Sequence, residues 1–412
     1  MVNEVRHTEL GDIPVDWKIQ TFEETFRMLS NNTLSRDNLN NRGGVVKNIH
    51  YGDILTVFPE VLNCRTEEIP YLNNLNLLTA STQLLQDGDV VIADTAEDDT
   101  VGKVTEIQNL GENKLVAGLH TIPCRVKKGD FAPGWLGYYM NSHMYHNQIL
   151  PFITGIKVSS ISKSAIARTL ILVPPIEIQR SIVATLSKVD ELTRNERLTV
   201  DKLEAFKTAQ LQAMFPRNGA DIPEVRFPEF TDSWEQRKVS EMFKVTRGYV
   251  LPATDTSEEK SDKMPYPVYS SQTKDNGLMG YYSDYLYENA ITWTTDGANA
   301  GTVNYRNGKF YCTNVCGALL SDKIEASKAV AEALNKVAKR YVSYVGNPKL
   351  MNNVMADIQI SMSTSKEERD AISSYFTNID NLITLHQHKC EKYVNIKKGM
   401  ISELLVGNIQ IR

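Results

Sequence analysis

Three groups of residues in this 412-residue chain have types and spacings that bear on chemistry. Asn299, Asn304, Arg306 and Asn314 fall in one segment, beside Tyr281, Tyr282, Tyr285, Tyr287 and Trp293. Asparagine offers the donor and acceptor that match adenine in the major groove, and arginine matches guanine or a phosphate. The competing reading is that the rings only fill a β core. Within this segment the loop TTDGANAG (294–301) carries glycines, which let a backbone approach a phosphate or base closely. Two stretches carry base and no acid: 155–168, with Lys157, Lys163 and Arg168, and 333–356, with Lys336, Lys339, Arg340 and Lys349. Finally, Cys312 and Cys316 are spaced C-x3-C, but no second pair or histidine couple completes a zinc site. They read as small residues half-buried in a strand.

Several chemistries are missing from the sequence. There is no G-x-x-x-x-G-K-[ST] phosphate loop and no G-x-G-x-x-G opening a helix. The strings nearest to an Asn/Asp-Pro-Pro-aromatic adenine pocket are Val173-Pro174-Pro175-Ile176 and Asn347-Pro348-Lys349, and neither fits. The seven histidines form no H-x3-H or H-E-x-x-H arrangement. Recognition, not catalysis, is what remains. The net charge of -5 does not point to nucleic acid, but acid is bunched at Asp94–Asp99 and Asp255–Asp262, so local basic surface is still available. With no apolar run of membrane length and a polar N-terminus, a cytoplasmic protein is expected.

The elements that position these residues are written twice. LGDIPVDWKIQTFEETF (10–26) matches FPEFTDSWEQRKVSEMF (227–243) at an offset of 217, pairing Trp17 with Trp234 and Phe26 with Phe243. EIQRSIVATLSKVDEL (177–192) matches EERDAISSYFTNIDNL (367–382) at an offset of 190, which persists to Lys207/Lys397 and Met214/Leu404. The fall from 217 to 190 makes the middle of the first half longer by 27 residues. Each half thus has matching ends and a divergent middle, as one scaffold carrying two different surfaces would.

Each repeated tail reads as a long helix. Ile176 to Phe215 holds neither Gly nor Pro, and Pro216 stops it. Apolar residues recur three or four apart: Ile182, Leu186, Val189 and Leu192, then, after the polar patch Arg194–Arg197 interrupts the stripe, Val200, Leu203 and Phe206. The second copy is cleaner, with Ile372, Phe376, Ile379, Ile383, His386, Cys390, Tyr393 and Ile396. That spacing belongs to a supercoiled pair. A 40-residue helix is about 60 Å long and cannot bury a seam alone, so the two helices are expected to pack on each other. His386 reads as a polar seam residue, and Asp190 and Asp380 as network acids. Ser365 with Glu368 offers a capping box. In the middles, 77–95 reads as strand, turn at Asp87-Gly88, strand. Strands are expected around Ala290–Thr294, Gly301–Tyr305 and Phe310–Leu320, with turns at Asp296-Gly297 and Asn307-Gly308. Residues 326–345 read as a helix, with 131–150 as its counterpart.

PPIEIQRSIVATLSKVDELTRNERLTVDKLEAFKTAQLQAMFP, then PEVRFPEFTDSWEQRKVSEMF, resembles the central region of Type I restriction–modification specificity (S) subunits, and Gly-Asp-Ile-Pro-x-x-Trp at 11–17 is similar to their opening. The second copy departs in having Ser363-Thr364 where the first has Pro174-Pro175. The resemblance implies an α+β chain: two strand-rich α/β target-recognition domains in pseudo-repeat (1–174 and 217–362), separated by two long antiparallel coiled-coil helices (175–216 and 363–412). It further implies that each domain reads half of a split site in double-stranded DNA. The helices, through Ile182, Leu186, Val189, Leu203, Phe206, Ile372, Phe376, Ile379, Ile383 and Tyr393, set the spacing and dock two modification (methyltransferase) subunits. No cofactor is expected on this chain: S-adenosylmethionine belongs to the modification subunits, and ATP and Mg to two restriction subunits. No membrane partner is expected. The DNA-binding candidates are Lys157, Ser159, Ser160 and Lys163 in the first domain and Asn299, Arg306, Lys349, Asn352 and Asn353 in the second, with lysines serving phosphates and amides serving bases. The rival readings are a fused methyltransferase–nuclease, and a coiled-coil adaptor that binds only proteins.

Overall fold

The computed structural model describes residues 4–127, 129–155, 157–217, 220–271 and 274–405. The chain packs as two units, one running to Asn195 and resuming at Lys389, the other running from Glu196 to His388. The long helices, Ile176–Ala213 and Lys366–Leu404, therefore each contribute to both units. Their first residues are 190 apart, so Thr364 and Ser365, not Ser363 and Thr364, stand where the first copy has Pro174 and Pro175.

In unit 1 a five-stranded sheet runs in the order Phe26–Met28, Thr121–Val126, Val90–Ala93, Val104–Gln108, Val61–Asn63. Alternation along Val90–Ala93 decides its two faces. Val90 and Ile92 pack with Trp135, Tyr139 and, from the long helices, Ile182, Leu186, Ile401 and Leu404. Val91 and Ala93 pack with Ile49, Ile54, Phe58 and Leu115, partly from a second, four-stranded sheet. The first strand expected within 77–95 is absent. Asn74 and the hydroxyls of Thr79, Ser81 and Thr82 hydrogen-bond locally and turn the chain, leaving a single bridge at Leu84 before the turn at Gly88.

Unit 2 holds a six-stranded sheet in the order Phe243–Arg247, Cys316–Ser321, Tyr287–Thr294, Val303–Cys312, Tyr266–Tyr269, Leu278–Tyr282. The turn expected at Asn307-Gly308 is a bulge instead, and Val303–Cys312 passes through it as one strand. Asn289 on the facing strand adopts φ 47 and accepts the Gly308 N–H at 2.7 Å, so the extra residue is absorbed within the ladder. The reversal comes between Cys312 and Cys316. The expected helix is Lys328–Ala338, capped by Ser327, with a 3-10 turn at Lys339–Tyr341; its counterpart in the first half is split into Trp135–Met140 and His143–Ile149.

The repeated ends share their pairing and capping contacts. Lys18–Thr21 pairs with Leu170–Val173 in the register in which Glu235–Lys238 pairs with Gln359–Met362. A short helix follows in each, where Glu24 accepts from the Thr21 N–H at 2.8 Å and Glu241 from the Lys238 N–H at 3.2 Å. In unit 2, Glu196 meets His386 and Lys207 meets Asp380 at 2.8 Å, so the helix segments run antiparallel. In unit 1, Asp190 meets Lys397 at 2.6 Å and the Thr193 carbonyl meets Cys390, again antiparallel. The two ion pairs are repeat equivalents with the helices exchanged. Each aspartate gains a further donor from its own unit, Tyr138 at 2.6 Å for Asp190 and Lys328 at 2.6 Å for Asp380.

Of the helix residues singled out, Ile182, Leu186, Ile372, Phe376, Ile379 and Ile383 are buried, and Val189, Leu203 and Tyr393 are half-buried. Leu192 is 41%, Phe206 45% and Ile396 40% exposed, which overturns their placement on the seam. A 3.6-residue helix drifts off a 3.5-residue stripe, and Lys207 and Lys397 take the inward positions through their ion pairs. The capping box at Ser365 is half made: its hydroxyl accepts the Glu368 N–H at 3.2 Å, while the Glu368 carboxylate is taken by Arg226.

Candidate nucleic-acid interface

In unit 2 the strand Tyr287–Thr294 runs out into the loop 295–302, which is closed at its base by Thr294 N–H to Thr302 O (3.0 Å) and Gly301 N–H to Thr294 O (2.9 Å). Gly301 is required there: it has φ 82, and a Cβ would lie 2.8 Å from Val342. A second loop closes on itself through Ser343 and Lys349, with reciprocal bonds of 2.8 and 2.9 Å. The two loops are joined by Gly297 N–H to Pro348 O (3.0 Å) and Leu350 N–H to Thr295 O (2.8 Å). The short helix Asn352–Asp357 follows directly.

Unit 1 builds the same frame. Gly102 N–H meets Ala93 O at 2.8 Å, Ile161 N–H meets Asp94 O at 2.9 Å, and Thr154 and Ser160 exchange bonds of 3.0 and 2.8 Å. Thr95–Ala96 pairs with Ser159–Ser160, and the short helix Lys163–Ile166 follows. Gly102 thus corresponds to Gly301, Ile161 to Leu350, Ser160 to Lys349 and Lys163 to Asn352.

The frame gathers most of the candidate residues. In unit 1, Lys157 and Lys163 are exposed and Ser159 and Ser160 half-buried. In unit 2, Lys349 is half-exposed with the Asp296 carboxylate 3.7 Å away, and Asn353 is exposed. Asn352 donates to Thr246 O at 3.4 Å and Asn299 to Ser271 O at 3.1 Å. The chemistry of the two frames differs. Unit 1 carries Asp94, Glu97, Asp98 and Asp99 on its first loop, with His120 3.3 Å from Asp94. Carboxylates accept from the cytosine amino group and repel phosphate. His120, which meets Thr95 Oγ1 at 3.2 Å, was missed from the sequence because only the pairing of Thr121 with Ala93 brings it to the loop.

Arg306 is not on this surface, contrary to expectation. It is 7% exposed, lies 3.6 Å over the Tyr269 ring, and donates to Thr292 Oγ1 at 3.0 Å and to Asn276 O at 2.7 Å. Burial pushes its pKa below the usual guanidinium range. It borders a cavity of about 130 Å³ with Asn299, Asn304 and Thr294, so it supports the loops from beneath. The aromatic residues mostly pack on one another: Trp293 is buried, Tyr287 contacts Phe310, Tyr282 contacts Tyr311, and Tyr285 contacts Tyr266.

Among the described residues no cluster of three His, Cys, Asp or Glu can hold a metal ion, and no helix is long and apolar enough to cross a membrane. Cys312 and Cys316 are buried, and burial pushes the Cys316 thiol up to about 11.

The model of the Type I restriction modification DNA specificity domain matches residues 14–205 and 231–392, one match on each repeat. The chain belongs to this family. A candidate type I specificity subunit N-terminus of Mycoplasma pneumoniae is 39% identical over 140 residues, 33% of this chain and 73% of that protein. The candidate specificity subunit of the MjaX type I enzyme of Methanocaldococcus jannaschii is 20% identical over 426 residues, 99% of this chain and 97% of that one. The crystal structure of the type I S subunit of M. genitalium has the same fold, with a TM-score of 0.59 at 14% identity, covering 94% of this chain and 96% of that one. The role of this family in type I restriction–modification is DNA sequence specificity.

Proposed function

We propose that unit 1 and unit 2 each read one half of a split site in double-stranded DNA, through the paired loops and the short helix after them. The observation that carries this is one backbone frame built twice and furnished differently: Ser159, Ser160 and Lys163 in one, Lys349, Asn352 and Asn353 in the other. A frame repeated with changed side chains suits two half-sites of different sequence. Lys157, Lys163 and Lys349 then meet phosphates, which position the duplex, and Asn299, Asn352, Asn353, Ser159 and Ser160 face or support base contacts. Arg306 acts by holding Asn276 and the floor beneath Asn299.

The helices supply the repeated half of the function. Each unit exposes the same two apolar helix positions, Leu192 with Ile396 in unit 1 and Leu382 with Phe206 in unit 2. Identical exposed positions suit two copies of one partner. These partners are two modification subunits, which bring S-adenosylmethionine and methylate an adenine in each half-site. Two restriction subunits, using ATP and Mg, complete the enzyme. This chain binds no cofactor, contributes no catalytic group, and works in the cytoplasm.

The test is to assemble the chain with its modification subunits and map methylated adenines in treated DNA. The expected result is one split motif with an adenine marked in each half. Methylation at an unsplit motif would refute two independent readers, and an intact complex that methylates nothing would favour a protein-only adaptor.

A further inference from the structure

The closed loop of unit 2 ends in a tip that its own packing does not use. Tyr344 is 71% and Val345 93% exposed, and Tyr341 just before them is also exposed. The tip is held stiffly from below. Ser343 and Lys349 exchange two backbone bonds, Gly346 turns the chain with φ 77, and Pro348 O is fixed by Gly297 N–H. A β-branched and an aromatic side chain so placed remain in water in the free protein at a hydrophobic cost. The flanks are basic. Lys339 and Arg340 are exposed and form no ion pair among the described residues, Lys349 follows, and the stretch 333–356 contains one acid-free run of cations. An apolar point between cations suits a partner with negative rails and an apolar stacked interior. Duplex DNA has both, and proteins that unstack it insert such side chains between base steps.

We propose that the Tyr344–Val345 tip is a wedge that enters the base stack of DNA at the half-site read by unit 2. This rests on the reading of unit 2 as a DNA reader. In unit 1 the position equivalent to Tyr344, next after the bridging Thr154, is Gly155. It has φ 116, and a Cβ there would fall 1.9 Å from Val158 O. No aromatic side chain can stand there without rebuilding the turn, so the aromatic wedge belongs to one half-site only. Val345 aligns with Ile156, which lies outside the described residues.

The experiment uses the full chain assembled with its modification subunits and duplexes carrying the motif mapped by methylation. 2-Aminopurine is placed at successive steps of each half-site, away from the methylated adenine, and end-to-end energy transfer reports bending. Wild type is expected to raise fluorescence at one step in the unit 2 half-site. Y344S/V345S is expected to lose that signal, to reduce the bend, and to weaken specific binding roughly ten- to a hundredfold. Binding to unrelated DNA and its salt dependence should hold, and Y344F should retain the wild-type signal. Both substituted side chains are exposed, and an unchanged unfolding temperature confirms an intact fold. Fluorescence and bend unchanged in Y344S/V345S would overturn the wedge while leaving unit 2 a reader. Loss of assembly with the modification subunits would overturn it in favour of a protein contact. A wild-type complex with no sequence preference in the unit 2 half would remove the reading on which the wedge rests.

Discussion

Removing the Glu368 carboxylate tests how the start of the second long helix is tied to unit 2. Glu368 is fully buried, and its two oxygens accept from the Arg226 guanidinium at 2.6 and 2.8 Å and from Trp234 Nε1 at 3.2 Å. Arg226 is itself nearly buried and also donates to Asp232 O at 2.6 Å. Glu368→Ala leaves a guanidinium and an indole N–H inside without an acceptor. Breaking a buried pair by removing one partner costs about 3–5 kcal/mol. For a unit of this size about 1 kcal/mol moves the midpoint by roughly 2–4 °C, so the unit 2 transition should fall by roughly 6–20 °C. Calorimetry on the full chain measures it. Glu368→Gln, which keeps the shape without the charge, should fall between. Arg226→Met/Glu368→Leu removes both charges and should recover most of the loss. A loss below about 1 kcal/mol, the range of exposed pairs, would refute the argument. So would a double variant as unstable as Glu368→Ala.

Acid should weaken this junction and the ion pairs along both long helices. Burial pushes Glu60, Glu368 and Asp380 up, but Lys397, Arg226, and Lys207 with Lys328 respectively more than offset it, so each carboxyl ends below its ordinary value. Their stabilisation is then full above the ordinary carboxylate range near about 4 and is lost as pH falls through it and below; a midpoint that does not fall between about pH 5 and pH 3 would contradict this. Lys163→Ala should weaken binding to all DNA sequences and lower the salt slope by about 1, whereas Asn352→Ala should relax one half of the methylation motif at nearly constant slope. Leu192→Glu and Leu382→Glu should each weaken the docking of one modification subunit, which mass measurement of the assembled complex would show as a shift from two copies to one. Lys397→Met leaves Glu60 and Asp190 without their cation at 2.6 Å and should destabilise unit 1 by about 3 kcal/mol, with the unit 2 transition unmoved.

Much of the architecture was legible because the chain states it twice. The offset of 190 located both long helices, since apolar spacing fixes such elements without distant help. The offset of 217 aligned the two openings, but the strands Lys18–Thr21 and Glu235–Lys238 inside them show only in the structure, where each pairs with a segment more than a hundred residues away. The same alignment brought the two basic stretches to equivalent places, and the backbone puts Ser160 and Lys349 at the same bridge. Only tertiary structure decided the rest. Asn307-Gly308 has turn composition, but it became a bulge because the facing strand Tyr287–Thr294 pairs on both sides of it, at Lys309 and at Arg306. Phe206 and Ile396 keep the seam spacing yet face outward, because ion pairs formed across the helices draw Lys207 and Lys397 inward. Arg306 has the composition of a base reader, but the sheet turns it under the loops and stacks it on Tyr269. Periodicity records which residues share a face. Which face meets the core, and which loop tip is left over, depends on pairings between residues far apart in the sequence.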